Sequence, residues 1–170
     1  TFDDGPYDNT TDAILDILKE KGVHATFFLR HRPDHVAQIQ REIREGHTLA
    51  NHSYSHKIKA VYQSADSCIK EIRDQQKWLP ETVGVTPEIC RFPGGSPTAG
   101  NKKQAIAAAL AADGLGYVDW NCYTGDGLPG VLTTEKAYQN AVSSVGEQKI
   151  VVMLMHDYSA ATLEALPDII

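Results

Sequence analysis

The stretch "TFDDGPYDNTTDAILDILKEKGVHATFFL", residues 1–29, decides the fold. Its first four residues read as a strand that ends on two adjacent carboxylates, Asp3 and Asp4, before the turn pair Gly5 and Pro6. A helical pattern follows, with Ile14, Ile17 and Leu18 on one face and Gly22 as its stop. "HATFFL" at 24–29 then reads as a second strand. Strand, helix, strand is the parallel unit with a right-handed crossover.

The same punctuation runs on down the chain. A helix is expected at 34–45 on Val36, Ile39 and Ile43, stopped by Gly46, and a strand at "HTLANH" (47–52). Another helix is expected at 64–79, with Cys68, Ile69 and Ile72 as its apolar side, then a strand at "EICRFP" (88–93) and the loop "GGSPTAGN". Next come a helix at 102–112, a strand at "GYVDWNC" (116–122), a helix at 134–145 and a strand at "KIVVMLM" (149–155). "SAATLEALPDII" (159–170) begins one more helix. About six strand–helix units imply an α/β fold, either a βα-barrel or an open doubly wound sheet. Either way the reactive groups should lie beyond the C-terminal ends of the strands.

Composition narrows the class. The 170 residues are 42% apolar and 22% charged, as expected for one globular domain spanning 1–170. A formal charge of −6 argues against a nucleic-acid partner, which needs clustered Lys and Arg. No apolar run approaches the ~20 residues of a membrane span. Cys68, Cys90 and Cys122 are odd in number and widely spaced, so small buried hydrophobes are expected. The chain starts inside a strand without Met and is read as trimmed at its N-terminus.

The unusual polar residues all fall where strands end: "TFDD", "NHSYSH" (51–56), "RFPGGS" (91–96), "GDG" (125–127) and "MHD" (155–157). Crowding Asp3 against Asp4 raises the cost of ionising both, so a metal ion or a proton should take up the charge. His52 and His56, four apart, can point to one place, and two imidazoles with one carboxylate make an open zinc site. Strand alternation would send Asp3 and Asp4 to different sides, with the Gly5–Pro6 turn swinging Asp4 back toward the histidines. In "IVVMLMH", period two places His156 on the face of Ile150, Val152 and Leu154. Arg91 precedes a stiff Pro-Gly-Gly turn whose N–H groups could bind an anion. His24, His31, His35 and His47 lack such company and read as structural.

Taken in order, these clusters resemble the five motifs of the NodB-homology polysaccharide deacetylases, carbohydrate esterase family 4, over residues 1–156. The resemblance implies a distorted (β/α) barrel and a hydrolase removing acetyl groups from a polysaccharide. By motif position, Asp4, His52 and His56 would hold one divalent metal, zinc first, with cobalt or nickel as alternatives. Asp3 would be the general base, Arg91 its orienting partner and His156 the general acid. Asp126, favoured over Asp119, would pair with His156. A backbone N–H near Gly94 would hold the oxyanion and Leu154 would line the acetyl pocket. Gly94 stands where many members carry Tyr, and Gly127 where Trp is frequent. "RFPGGS" and "DWN" resemble Gram-positive members acting on peptidoglycan. That implies a monomer, extracellular or cell-wall associated, acting on N-acetylglucosamine-type residues. O-acetyl xylan, chitin oligosaccharides and an inactive carbohydrate-binding member are the alternatives.

Overall fold

The computed structural model describes residues 1–170. Seven strands form one sheet: β1 (Phe2–Asp3), β2 (Thr26–Leu29), β3 (Thr48–Asn51), β4 (Ile89–Cys90), β5 (Gly116–Tyr117), β6 (Cys122–Tyr123) and β7 (Met153–His156). The helices are α1 (Thr10–Lys21), α2 (Val36–Arg44), α3 (Ile58–Val61), α4 (Ala65–Val83), α5 (Lys103–Ala112), α6 (Thr134–Val145) and α7 (Ala160–Ile169). Local chemistry sets their ends. Gly22 adopts φ 66° to close α1, and Ser64 and Ser67 cap each other's backbone N–H at the start of α4.

The strand order is β5-β4-β3-β2-β1-β7-β6, and each paired neighbour is parallel. The opening strand is therefore central, with Asp3 level with Phe28 on one side and His156 on the other. The outermost strands, β5 and β6, are consecutive in sequence and joined only by residues 118–121. At no more than about 3.6 Å per residue, so short a segment reaches from edge to edge only if the sheet curls round. The result is a curled, partly closed barrel with helices outside, the distorted (β/α) barrel expected from the sequence.

This closure also explains where the expected elements differ. "GYVDWNC" was expected as one strand but splits in two, because Val118 N–H donates to Cys90 O at one edge while Asn121 N–H donates to Val152 O at the other. The last strand is shorter than "KIVVMLM" suggests, and Ile150 and Val151 are exposed ahead of it. The apolar core has two parts. One gathers Phe2, Phe27, Leu29, Ile14, Leu18 and Leu166 between the central strands and α1 and α7. The other gathers Cys68, Ile72, Cys90, Phe92, Ile106 and Leu110 beneath α4 and α5. The three cysteines are buried and free. All seven strands point the same way, so their C-terminal ends form one rim.

Candidate active site and metal centre

That rim surrounds a pocket of about 490 Å³ whose wall includes Asp3, Asp4, His52, His56, Asp126 and His156. They arrive from four strand ends: Asp3 and Asp4 from β1, His52 and His56 after β3, Asp126 after β6 and His156 from β7. β1 delivers the two carboxylates in opposite senses, because Asp3 is extended while Asp4 takes a left-handed φ of 75°. Asp4's own backbone therefore makes the swing that the sequence assigned to the Gly5–Pro6 turn. Gly5 serves the packing instead, since a Cβ there would run into the buried carboxylate of Asp157. Asp157 accepts a hydrogen bond from Thr11 Oγ1 at 2.6 Å, and Thr11 in turn accepts from Tyr7 N–H at 2.8 Å. Burial pushes the Asp157 carboxyl up to about 7, against the Thr11 bond and with help from the Asp3 and Asp4 charges.

Asp4 Oδ1 lies 3.6 Å from His56 Nε2 and 3.9 Å from His52 Nε2. One ligand atom from each of Asp4, His52 and His56 falls within 4.8 Å of the others. Left-handed φ values at Ser53 (68°) and His56 (55°) turn the chain so that both rings face inward, 4.6 Å apart. His52 Nδ1 is 2.9 Å from Arg91 O, so Nδ1–H donates there and Nε2 keeps its lone pair for the pocket. Burial and the neighbouring His52 hold the His56 imidazole down to about 4, hence neutral. Burial pushes the Asp4 carboxyl up, yet it stays below its ordinary value, with Arg30 the standing positive charge beside it at 3.6 Å. Asp4 Oδ1 is itself buried without a hydrogen-bond partner. Two inward-facing imidazole nitrogens and an unpartnered carboxylate oxygen are a donor set that fits a divalent metal.

Asp3 faces a different partner. Arg91 Nη1 donates to Asp3 Oδ1 at 2.6 Å, while Asp3 Oδ2 stands 3.5 Å from His52 Nε2. The Arg91 side chain is fully buried, with its guanidinium 3.9 Å over the Phe28 ring. It also donates to Val118 O at 3.0 Å and Asp119 O at 3.3 Å, both in the segment that joins the sheet's two edges. One guanidinium thus holds the barrel's closing segment and fixes Asp3.

Across the pocket, His156 Nδ1 is 2.7 Å from Asp126 Oδ1, and His156 N–H donates to Asp126 Oδ2 at 2.8 Å. Thr162 Oγ1 donates to the same carboxylate at 2.7 Å. Burial alone would lower the His156 imidazole, but the hydrogen bond and charge of Asp126, with Asp3 and Asp4 behind, raise it above the ordinary value. Asp119 is occupied elsewhere, accepting from Ser96 N–H and Oγ at the "GGS" turn. Gly94 and Leu154 also line the pocket. Gly94 has φ 71°, and its N–H makes no backbone hydrogen bond, whereas Gly95 N–H is committed to Phe92 O at 2.8 Å.

Some residues of this rim escaped sequence reasoning. Arg30 Nη1 lies 3.6 Å from Asp4 Oδ1, and Arg32 Nη2 donates to Asp4 O at 3.3 Å. The signal was present, since "RHR" follows "TFFL" directly at the same strand ends. Trp120, Tyr123 and Tyr158 form part of the pocket wall and carry no spacing signature. Among the remaining histidines, His31 stacks on Tyr54 at 4.0 Å and His35 faces Asp8 at 3.1 Å. His24 and His47 meet edge to face, 5.8 Å apart, at the opposite end of the sheet.

Known proteins share this architecture. The model of the family described as polysaccharide deacetylase matches residues 1–115. The putative polysaccharide deacetylase YheN of Bacillus subtilis is 34% identical, over 100% of this chain and 61% of its own length. The chain thus spans about three fifths of that curated relative. The catalytic domain of peptidoglycan N-acetylglucosamine deacetylase from Eubacterium rectale superposes with a TM-score of 0.91 at 34% identity, covering 99% of this chain and 79% of that one. A CE4 esterase from Streptococcus mutans gives a TM-score of 0.90 at 33% identity, covering 99% and 77%. With the family model covering most of the chain and the five strand-end clusters meeting at one pocket, this chain belongs to the polysaccharide deacetylases of carbohydrate esterase family 4.

Proposed function

We propose that the chain is a zinc-dependent hydrolase that removes N-acetyl groups from N-acetylglucosamine-type residues of a cell-wall polysaccharide, peptidoglycan first. The observation that carries this reading is the placement of two differently biased groups on one pocket: Asp3 tied to Arg91 beside the Asp4–His52–His56 cluster, and His156 tied to Asp126 opposite. Similarity to the Eubacterium protein supports the choice of substrate.

Asp4, His52 and His56 would hold the metal. A divalent ion bound there supplies an electrophile that polarises the acetyl carbonyl and makes a water acidic near neutral pH. Asp3, pinned by Arg91 on one oxygen, keeps Oδ2 free to accept the water's proton as attack begins. The Gly94 N–H is free to donate to the developing oxyanion. His156, kept protonated by Asp126, gives a proton from Nε2 to the departing sugar amine, which is a poor leaving group without it. Leu154 would take the acetyl methyl in the pocket floor. The proposal places the protein at the cell wall or outside the cell, acting as a monomer.

The test is acetate release from peptidoglycan, N-acetylglucosamine oligomers and acetylated xylan, each with zinc and with a chelator. Zinc-dependent release from peptidoglycan is expected. Release from xylan alone would move the substrate class, and activity indifferent to chelation would sink the metal assignment.

A further inference from the structure

The wall beside His156 holds a residue that the chemistry above does not use. The Tyr158 ring stacks on the His156 imidazole, with centroids 5.0 Å apart and planes at 28°. Tyr7 meets Tyr158 edge-on at 5.7 Å, and the Arg32 guanidinium lies 4.3 Å over Tyr7. Tyr158 is thus held by two neighbouring rings, yet it is 40% exposed and lines the pocket. Another edge of the imidazole is closed by Gly127, where a Cβ would come within 2.8 Å of His156 Cε1. No side chain can enter at 127 without displacing the imidazole, so position 127 cannot supply a wall for a sugar. The other aromatic residues are less well placed. Trp120 is packed over Arg91 at 5.6 Å and against Gly95, and Tyr123 makes no stack with His156. Burial, with the Asp126 and Asp4 carboxylates, raises the Tyr158 phenol above its ordinary value, so it remains a neutral O–H.

We propose that Tyr158 is the specificity-determining wall of the sugar site: its exposed ring surface takes the apolar face of a pyranose and seats the acetylated substituent beside His156 Nε2. This rests on the deacetylase reading for the identity of the sugar, but not for the contact itself. A rigid aromatic surface held by neighbouring rings loses little conformational freedom on binding, which is why such residues dominate recognition sites. A pyranose held there has its substituents beside the one imidazole nitrogen not bonded to Asp126.

The experiment compares the wild-type chain with Tyr158→Ala and Tyr158→Phe. Calorimetric titration with N-acetylglucosamine tetramer measures binding, and initial rates are taken on the tetramer and on 4-nitrophenyl acetate. The aryl ester has no sugar and a leaving group that needs no proton. Tyr158→Ala should weaken tetramer binding about three- to tenfold and raise KM for the tetramer correspondingly, a loss larger than any it causes on the aryl ester. Tyr158→Phe should behave as wild type. Equal loss on both substrates would mean a structural role and overturn the proposal, as would unaltered binding by Tyr158→Ala or failure of Tyr158→Phe to retain binding. A wild-type chain that binds the tetramer but releases no acetate would overturn the deacetylase reading, while the binding ratio would still decide Tyr158. A wild-type chain that does not bind the tetramer overturns the Tyr158 assignment.

Discussion

Histidines stand at both ends of this sheet, and the two sets differ in everything except residue type. At the C-terminal rim, His156 is bonded to Asp126 and its imidazole is raised above the ordinary value despite burial. At the opposite end, His47 accepts a hydrogen bond from Ala25 N–H at 3.2 Å and packs against His24, and burial with the His24 charge lowers it. Both are largely out of solvent, so burial does not separate them. The carboxylate does: in a low-dielectric setting one hydrogen-bonded Asp outweighs desolvation, and without it desolvation wins. The partner sets which way the imidazole is biased, and the partner arrives from another strand.

The sharpest way to break this contrast is to remove a partnered group at the rim while leaving the fold intact. Asp3→Asn keeps the shape and the Arg91 neighbourhood but cannot accept a proton. Acetate release should fall by about 10²–10⁴-fold while zinc uptake, followed by titration calorimetry, persists. Loss of zinc binding together with activity would instead make Asp3 a ligand.

Asp126→Asn tests the cause of the His156 shift. The Asp126 hydrogen bond and charge raise the imidazole, so the protonated acid survives to higher pH in the native protein. Removing the charge leaves burial to lower it, and the alkaline limb of the kcat/KM profile should move to lower pH while the acidic limb stays. An alkaline limb that does not move would assign it to another group.

The smallest effect on activity is expected at the other end. His47→Ala leaves Ala25 N–H without its acceptor, costing about 1–3 kcal/mol in urea unfolding while kcat is unchanged. A fall in kcat larger than the stability loss explains would erase the distinction between the two ends.

Much of this was legible beforehand because the rules involved are local. Helix faces such as Ile14, Ile17 and Leu18 and stops such as Gly22 depend on neighbours within a few residues, as does the alternation that aims His156. Residues that escaped owe their place to packing between distant segments. Arg30 reaches Asp4 only because β1 and β2 are neighbours in register, and Tyr158 matters only because its ring comes to rest on His156. Asp126's place in the loop beyond the strand favours it over Asp119, and it is Asp126 that meets His156. The two lie seven positions apart on either side of β6, and the barrel's closure sends one to Ser96 and the other to His156.

The sequence by itself determined the alternation of strands and helices, and the rim on which the clustered carboxylates and histidines would gather. Only the tertiary structure decided how those side chains are shared out. Asp4 reaches the histidines through its left-handed backbone, and Asp3 is held by Arg91 from 88 positions away. The physical reason is one of range. Propensity and periodicity act over a turn or a strand, whereas a hydrogen bond between distant residues exists only once the curled sheet has brought its two edges within reach of residues 118–121.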